Sequence, residues 1–336
     1  MSVHVLAPGR VNLIGEHTDY TGGLVLPMAI DRFTEIRATR GGDRVHLTSL
    51  DEAEPIDLPL HIEQPNQVSP AWGRYVAGVM SEMSAATGQP VTNGLHGHVS
   101  TDIPIGAGLS SSAALEVAVA LALGFEGTPL QLAQLCQRAE HRASGVPSGI
   151  MDQLAVAAGV ADHALLIDCG DLTVQPVPLP AGAEIVVRFV THRTLVGSPY
   201  AERVTQCAAA EQLIGPLRHA TEAQARRIDD PIVRSRALHV VGENQRVLGF
   251  VSAITAGDLA AAGRLMIASH DSLRHQYATS TPAMDAAVAA TCARPGVYGA
   301  RMTGGGFGGC VVALTEPGAL STGWVVRAVN GARVVA

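Results

Sequence analysis

The residue types able to do chemistry gather in four short segments. Pro104-Ile105-Gly106-Ala107-Gly108-Leu109-Ser110-Ser111-Ser112-Ala113 sets two glycines before three serines and an alanine-rich run. Glycine lets a backbone turn sharply and approach a ligand. Serine caps the helix that follows, whose free N–H groups suit an anion such as a phosphate. An ordinary N-capped helix behind a flexible loop fits these residues equally well. In the second segment Glu140, His141, Ser148, Gly149 and Asp152 flank Gly145-Val146-Pro147. Two carboxylates and serine hydroxyls on one cleft would offer hard oxygen ligands to Mg²⁺. Taken singly, each carboxylate is more often a solvated group or a helix cap. Arg10, Asn12, Glu16, His17 and Asp19 crowd a third segment, a density of hydrogen-bonding groups that suits a polyhydroxylated ligand. The fourth, Arg301 to Gly309, has five glycines in six positions from Gly304, more than a structural turn requires.

Elements must position these segments. Strands are expected at His4–Ala7 and Leu24–Ala29, with Pro8 to Gly23 as a functional loop between them. Further strands are expected at Ile36–Ala38, Val45–Leu47 and Leu95–Val99, and a loop from Glu54 to Pro70. Helical spacing marks Trp72–Met83, Ser112–Leu123, Leu130–Ser144 and Asp152–Ala158. Pro176, Pro178 and Pro180 make Leu172 to Glu184 the expected domain boundary. Beyond it, strands are expected at Ile185–Thr191, Val297–Met302 and Val311–Leu314. Helices are expected at Tyr200–Ile214, Ile232–Thr255 and around Leu259–Ser269. His96 and His98 share one strand face without a third ligand, which favours solvated or satisfied histidines over a metal pair. Strands mixed with helices on both sides of the boundary predict an α+β class.

Composition removes whole mechanisms. Among 336 residues there is no lysine; all 23 basic residues are arginine. A Schiff-base enzyme, a Walker A nucleotidase and a protein kinase each need a lysine. Phosphate must therefore be handled by backbone N–H groups, hydroxyls, a metal or arginine. A net charge of -7 argues against a nucleic-acid partner. Five scattered cysteines without a CxxC pattern read as reduced thiols. The opening residues carry no signal-peptide pattern, and the longest apolar run, Val117 to Phe125, is about half a bilayer span. A cytoplasmic protein without a membrane partner is expected.

Taken in chain order, the four segments resemble the galactokinases of the GHMP kinase superfamily. Arg10 to Met28 contains GEHTDY, the phosphate loop reads PIGAGLSSSA, the segment around Asp152 reads GIMDQ, and the last reads RMTGGGFGGC. The match runs from about Val5 to Leu314. The resemblance implies a two-domain GHMP kinase fold: a ribosomal-protein-S5-like domain over residues 1–180 and a ferredoxin-like domain over residues 181–336. The active site would lie in the cleft between them. It implies phosphoryl transfer from ATP to the C1 hydroxyl of D-galactose, with Mg²⁺. Asp152 would be the base and Arg10 would stabilise the transferring phosphoryl. Glu16, His17, Thr18, Asp19, Gly149 and Tyr200 would hold the sugar. Gly106, Ala107, Gly108, Leu109, Ser110, Ser111 and Ser112 would wrap the ATP phosphates, with Ser49 and Trp72 on the adenine side. Ser112 and Glu140 would bind the metal. A monomer is expected, with weak oligomerisation as the alternative. A kinase for a related sugar and a non-catalytic galactose and ATP sensor are the alternatives. Thr21 stands where the family has asparagine, Leu320 to Trp324 replaces a longer helix, and Thr191 to Pro199 matches the family poorly.

Overall fold

The computed structural model describes residues 1–193 and 197–335. In chain order the first half contains β1 (Ser2–Asn12), β2 (Leu24–Val25), β3 (Pro27–Arg40), β4 (Arg44–Ser49) and β5 (Ile56–Pro59). These are followed by α1 (Gly73–Thr87), β6 (Leu95–Thr101), α2 (Ser111–Ala122), α3 (Pro129–Ser144) and α4 (Met151–Ala158). The hairpin β7 (His163–Asp168) and β8 (Thr173–Pro178) closes it. The second half contains β9 (Glu184–Thr191), α5 (Tyr200–Ile214), α6 (Glu222–Ala225), α7 (Pro231–Thr255) and α8 (Leu259–Ser272). It ends with α9 (Pro282–Cys292), β10 (Val297–Thr303), β11 (Gly309–Thr315), β12 (Trp324–Val326) and β13 (Arg333–Val334).

Among the described residues three sheets result, ordered β13-β1-β3-β6-β4-β5, β10-β11-β9-β12 and β2-β7-β8. Only the β4–β6 pair of the first sheet is parallel. β1 does not stop at Ala7 as expected. It runs on to Asn12 along β3, with its register shifting between Pro8 and Gly9. The Arg10 N–H then donates to the Leu109 carbonyl at 3.1 Å, docking the glycine-rich loop on the strand. Part of the expected sugar loop is therefore buried sheet.

The alanine-rich α2 is buried on most of its surface because it packs on strands β1 and β3 and against α1, α3 and α4. α3 starts on a Thr128–Gln131 capping box with Pro129 in its first turn, and stops at left-handed Gly145. The proline-rich boundary contains β8, which pairs only with β7. An edge position tolerates residues that cannot donate to the ladder. The expected loop from Glu54 to Pro70 contains β5, paired with β4. After β12 the chain returns to the first sheet, where Val334 of β13 faces Val5 of β1.

His96 stacks on His46 with ring centroids 5.0 Å apart, and His98 hydrogen-bonds the Thr48 hydroxyl. Among the described residues no cluster of three metal-ligating side chains forms. The five cysteines are free. No described helix is long and apolar enough to cross a membrane.

Candidate active site

The residues before α2 alternate in handedness. Gly106, Gly108 and Ser110 have φ of 74°, 79° and 62°, whereas Ala107 and Leu109 keep ordinary negative values. Such alternation turns successive N–H groups to one side and builds an anion-binding concavity. The Ala107 and Leu109 side chains point into the core, so these two residues offer only backbone. The loop leads into a cleft of about 350 Å³.

Arg10, from the end of β1, is 2% exposed. Its Nε and Nη2 lie 2.8 and 2.6 Å from Asp152 Oδ1, and its Nη1 donates to the Gly108 carbonyl at 2.7 Å. The Ser110 hydroxyl donates to Asp152 Oδ2 at 2.7 Å. Asp152 sits in the first turn of α4, where the helix dipole favours a carboxylate.

Next to this group, the Ser112 hydroxyl donates to Glu140 Oε1 at 3.2 Å and the Ser148 hydroxyl to Oε2 at 3.3 Å. Gln153 Nε2 donates to Glu140 Oε2 at 2.6 Å and to Glu116 Oε2 at 3.1 Å. Burial, and then the Asp152 charge, raise the pKa of Glu140. Glu140 and Ser112 thus supply oxygen donors in an environment that a cation would relieve.

The expected sugar residues arrive on the turn after β1. Glu16 Oε1 accepts from the Gly304 N–H at 2.6 Å, with Arg301 Nη1 at 3.3 Å and the Thr303 hydroxyl at 3.4 Å. The fourth glycine-rich segment therefore clamps Glu16. Helices α7 and α8 hold the turn from behind. Glu243 Oε1 accepts from the Gly15 N–H at 3.0 Å and the Ser269 hydroxyl at 2.6 Å, and His239 Nε2 pairs with the Glu16 carbonyl. His17 is buried, with Nδ1 on the Tyr20 hydroxyl, and its ring packs on Tyr200 and Tyr277. Desolvation, followed by nearby His239, Arg193 and Arg203, pushes its pKa well below the usual value.

Asp19 also faces the cleft. Burial, then Asp152 and Glu16, raise its pKa to about 7. Gly149 is required beside it, since a Cβ there would collide with the Asp19 carboxylate. Thr18 is placed differently from the expectation: its hydroxyl is donated to the Gly15 and Leu24 carbonyls, and its side chain does not line the cleft.

Tyr200, Ser49 and Trp72 line the cleft with Gly106, Gly108, Ser110, Ser111 and Ser112. Trp72 Nε1 donates to the Glu54 carbonyl at 3.0 Å. Sequence reasoning missed Arg193 and Tyr75, both of which line the same cleft. Tyr75 reads as a core residue from its helical spacing. Arg193 belongs to the poorly matching Thr191 to Pro199 stretch, of which 194–196 lie outside the described residues. It carries no sequence signal, yet its N–H donates to the Gly106 carbonyl at 3.1 Å. Burial, and then Arg10, lower its pKa.

Fold and cleft together define a GHMP kinase. The family models for the N-terminal and C-terminal GHMP kinase domains match residues 74–160 and 250–321. The galactokinase galactose-binding signature matches residues 2–40. A galactokinase of Roseiflexus sp. (strain RS-1) is 44% identical over 339 residues, covering 95% of this chain and 85% of the relative. A Homo sapiens galactokinase is 40% identical over 364 residues, covering 98% and 92%. The crystal structure of Lactococcus lactis galactokinase complexed with galactose superimposes with a TM-score of 0.92 at 30% identity, covering 99% of this chain and 95% of that one. The chain belongs to the galactokinase family and is an ATP-dependent sugar kinase.

Proposed function

We propose that the protein transfers the γ-phosphoryl group of ATP to the C1 hydroxyl of D-galactose, giving α-D-galactose 1-phosphate and ADP. One observation carries this reading. Asp152, held by Arg10 and Ser110, lies in one cleft with Glu16, His17 and Asp19 as well as with the phosphate loop. A hydroxyl bound by the sugar residues would meet the carboxylate and the γ-phosphate together.

Phosphoryl transfer needs positioning and charge neutralisation more than covalent chemistry. Asp152 accepts the C1 hydroxyl proton, a contribution of about 10²–10⁴-fold, while the sugar oxygen bonds to the γ-phosphorus and the bond from that phosphorus to the bridging oxygen breaks, releasing ADP. Arg10 orients Asp152 and ties it to Gly108 of the phosphate loop, and its guanidinium faces the charge that develops on the transferring group. Arg193 adds a second buried cation on the same side. Tyr200 and Gly149 complete the sugar side, and Ser49 and Trp72 border the adenine.

Ser112 and Glu140 would hold Mg²⁺. One carboxylate and one hydroxyl fit an ion that takes few protein ligands and shares phosphate oxygens. When bound, the ion neutralises charge on those oxygens. Glu140→Gln is expected to raise the Mg²⁺ concentration needed for half-maximal rate while leaving the KM for galactose nearly unchanged. An unaltered metal dependence would remove Glu140 from that role. The two units of the chain divide near residue 180, between β8 and β9, and strand β13 is lent back to the first.

Sugar choice rests on Asp19, a carboxylate that accepts hydrogen bonds from adjacent ring hydroxyls. An epimer that moves one hydroxyl away leaves a desolvated acceptor unpaired, at a cost of about 1–3 kcal/mol. That corresponds to roughly five-fold to 150-fold in discrimination. ADP release measured across galactose, glucose and galactosamine is expected to favour galactose over glucose by at least about five-fold in kcat/KM. Equal values for the two hexoses would favour a broader sugar kinase, and binding without ADP release would favour a sensor.

A further inference from the structure

Ser110 combines two features found at no other residue of the phosphate loop. It is the one position of the three left-handed ones, Gly106, Gly108 and Ser110, that carries a side chain. A residue with a Cβ is strained there, and such strain persists only where the surroundings hold it in place. Its hydroxyl also points away from the helix it precedes. It makes no capping bond to α2 and instead donates to Asp152 Oδ2 at 2.7 Å. Ser110 itself is 6% exposed, while the Asp152 side chain it holds keeps 29% of its surface open.

With Arg10 gripping Oδ1 from one side and Ser110 gripping Oδ2 from the other, the carboxylate plane has no freedom to rotate. A glycine at position 110 would relieve the backbone and preserve the N–H concavity, but would leave Oδ2 unheld.

We propose that Ser110 is a positioning residue for Asp152. Its hydroxyl fixes the rotamer of the carboxylate toward the acceptor hydroxyl rather than binding ATP phosphate, and the left-handed strain at Ser110 is retained for that purpose. The proposal rests on Asp152 being the base of the kinase reaction. Loss of the hydroxyl therefore lowers kcat and leaves substrate affinities in place. Loss of the strain stabilises the fold while activity falls.

Ser110→Gly and Ser110→Ala test this, alone and combined with Asp152→Asn, by galactose-dependent ADP release and thermal unfolding. Both single variants are expected to lose at least about ten-fold in kcat, with KM for ATP and galactose within about three-fold of the parent. Ser110→Gly should have a higher Tm than Ser110→Ala, because only glycine relieves the left-handed backbone. In the Asp152→Asn background, Ser110→Ala should cost less than about two-fold further, since both changes remove the same interaction. A merely structural serine would instead give losses that multiply in the double variant. That result, an intact kcat, or a KM for ATP raised more than about ten-fold with kcat retained would overturn the proposal. A parent protein that releases no ADP with galactose contradicts the kinase reading itself. A parent that turns over while Ser110→Ala keeps pace with it contradicts only the role of the serine.

Discussion

Asp19 shares its cleft with Asp152 and Glu16, and burial together with those two charges raises its pKa to about 7. Hydroxyl donors from a sugar favour the ionised carboxylate, so binding should expel a proton wherever Asp19 is still protonated in the free protein. Galactose affinity is therefore expected to rise with pH through about 7, and calorimetry in buffers of different ionisation enthalpy should detect proton release below it. PH-independent binding without proton release would place Asp19 away from the sugar. At the neighbouring carboxylate, Asp152→Asn should keep the fold and galactose binding while turnover falls about 10²–10⁴-fold. Turnover within a few-fold of the parent would remove Asp152 as the base. Arg10→Lys should also slow the reaction, because an ammonium cannot reach Asp152 and the Gly108 carbonyl with the fixed fork of a guanidinium. These residues were legible because their chemistry and order are written in short motifs. Thr18 was misplaced because a motif does not say which way a hydroxyl turns.

Helix α7 supplies the buried support of the turn that carries Glu16 and Asp19. Burial alone would raise the pKa of Glu243, but Arg246, His239 and Arg301 with the Ser269 hydroxyl outweigh it and hold the group down at about 2. A depressed carboxylate stabilises the fold fully above its unfolded pKa near 4.3 and loses that contribution as pH falls toward its folded value. Acid unfolding should accordingly steepen between about pH 4 and pH 2. In Glu243→Gln that acid-dependent part should shrink, with about 3 kcal/mol lost at neutral pH in urea unfolding. An unchanged acid limb would show that the ion pair contributes little. Sequence periodicity located α7 within a residue at its start, at Pro231. It could not reveal that Glu243, Ser269 and Arg301, from α7, α8 and β10, join one buried network beneath the turn that carries Glu16. Strand β1 was read too short because Pro8 and Gly9 look like punctuation; a register shift carries the ladder past them.

Across the whole molecule, the active cleft is assembled by chain crossings that no local pattern records. Arg10 meets Asp152 across 142 residues, and Gly304 meets Glu16 across 288. The closing strand β13 returns to β1, the strand that carries Arg10, although it is only two residues long and gave no sequence signal. The α+β class and the four-motif order were readable because each motif keeps its own composition. The arrangement of the sheets and the cleft position of Arg193 depend on long-range pairing and were not. The central claim is the joining of the γ-phosphoryl to the anomeric oxygen at one assembled site, and the position of phosphate on the product tests it most directly. Phosphorus-31 NMR of a reaction with ATP and galactose should show a new sugar phosphate whose phosphorus couples to the anomeric proton, and Asp152→Asn should suppress its formation. Phosphate on another hydroxyl, or none at all while ATP and galactose both bind, would contradict the account.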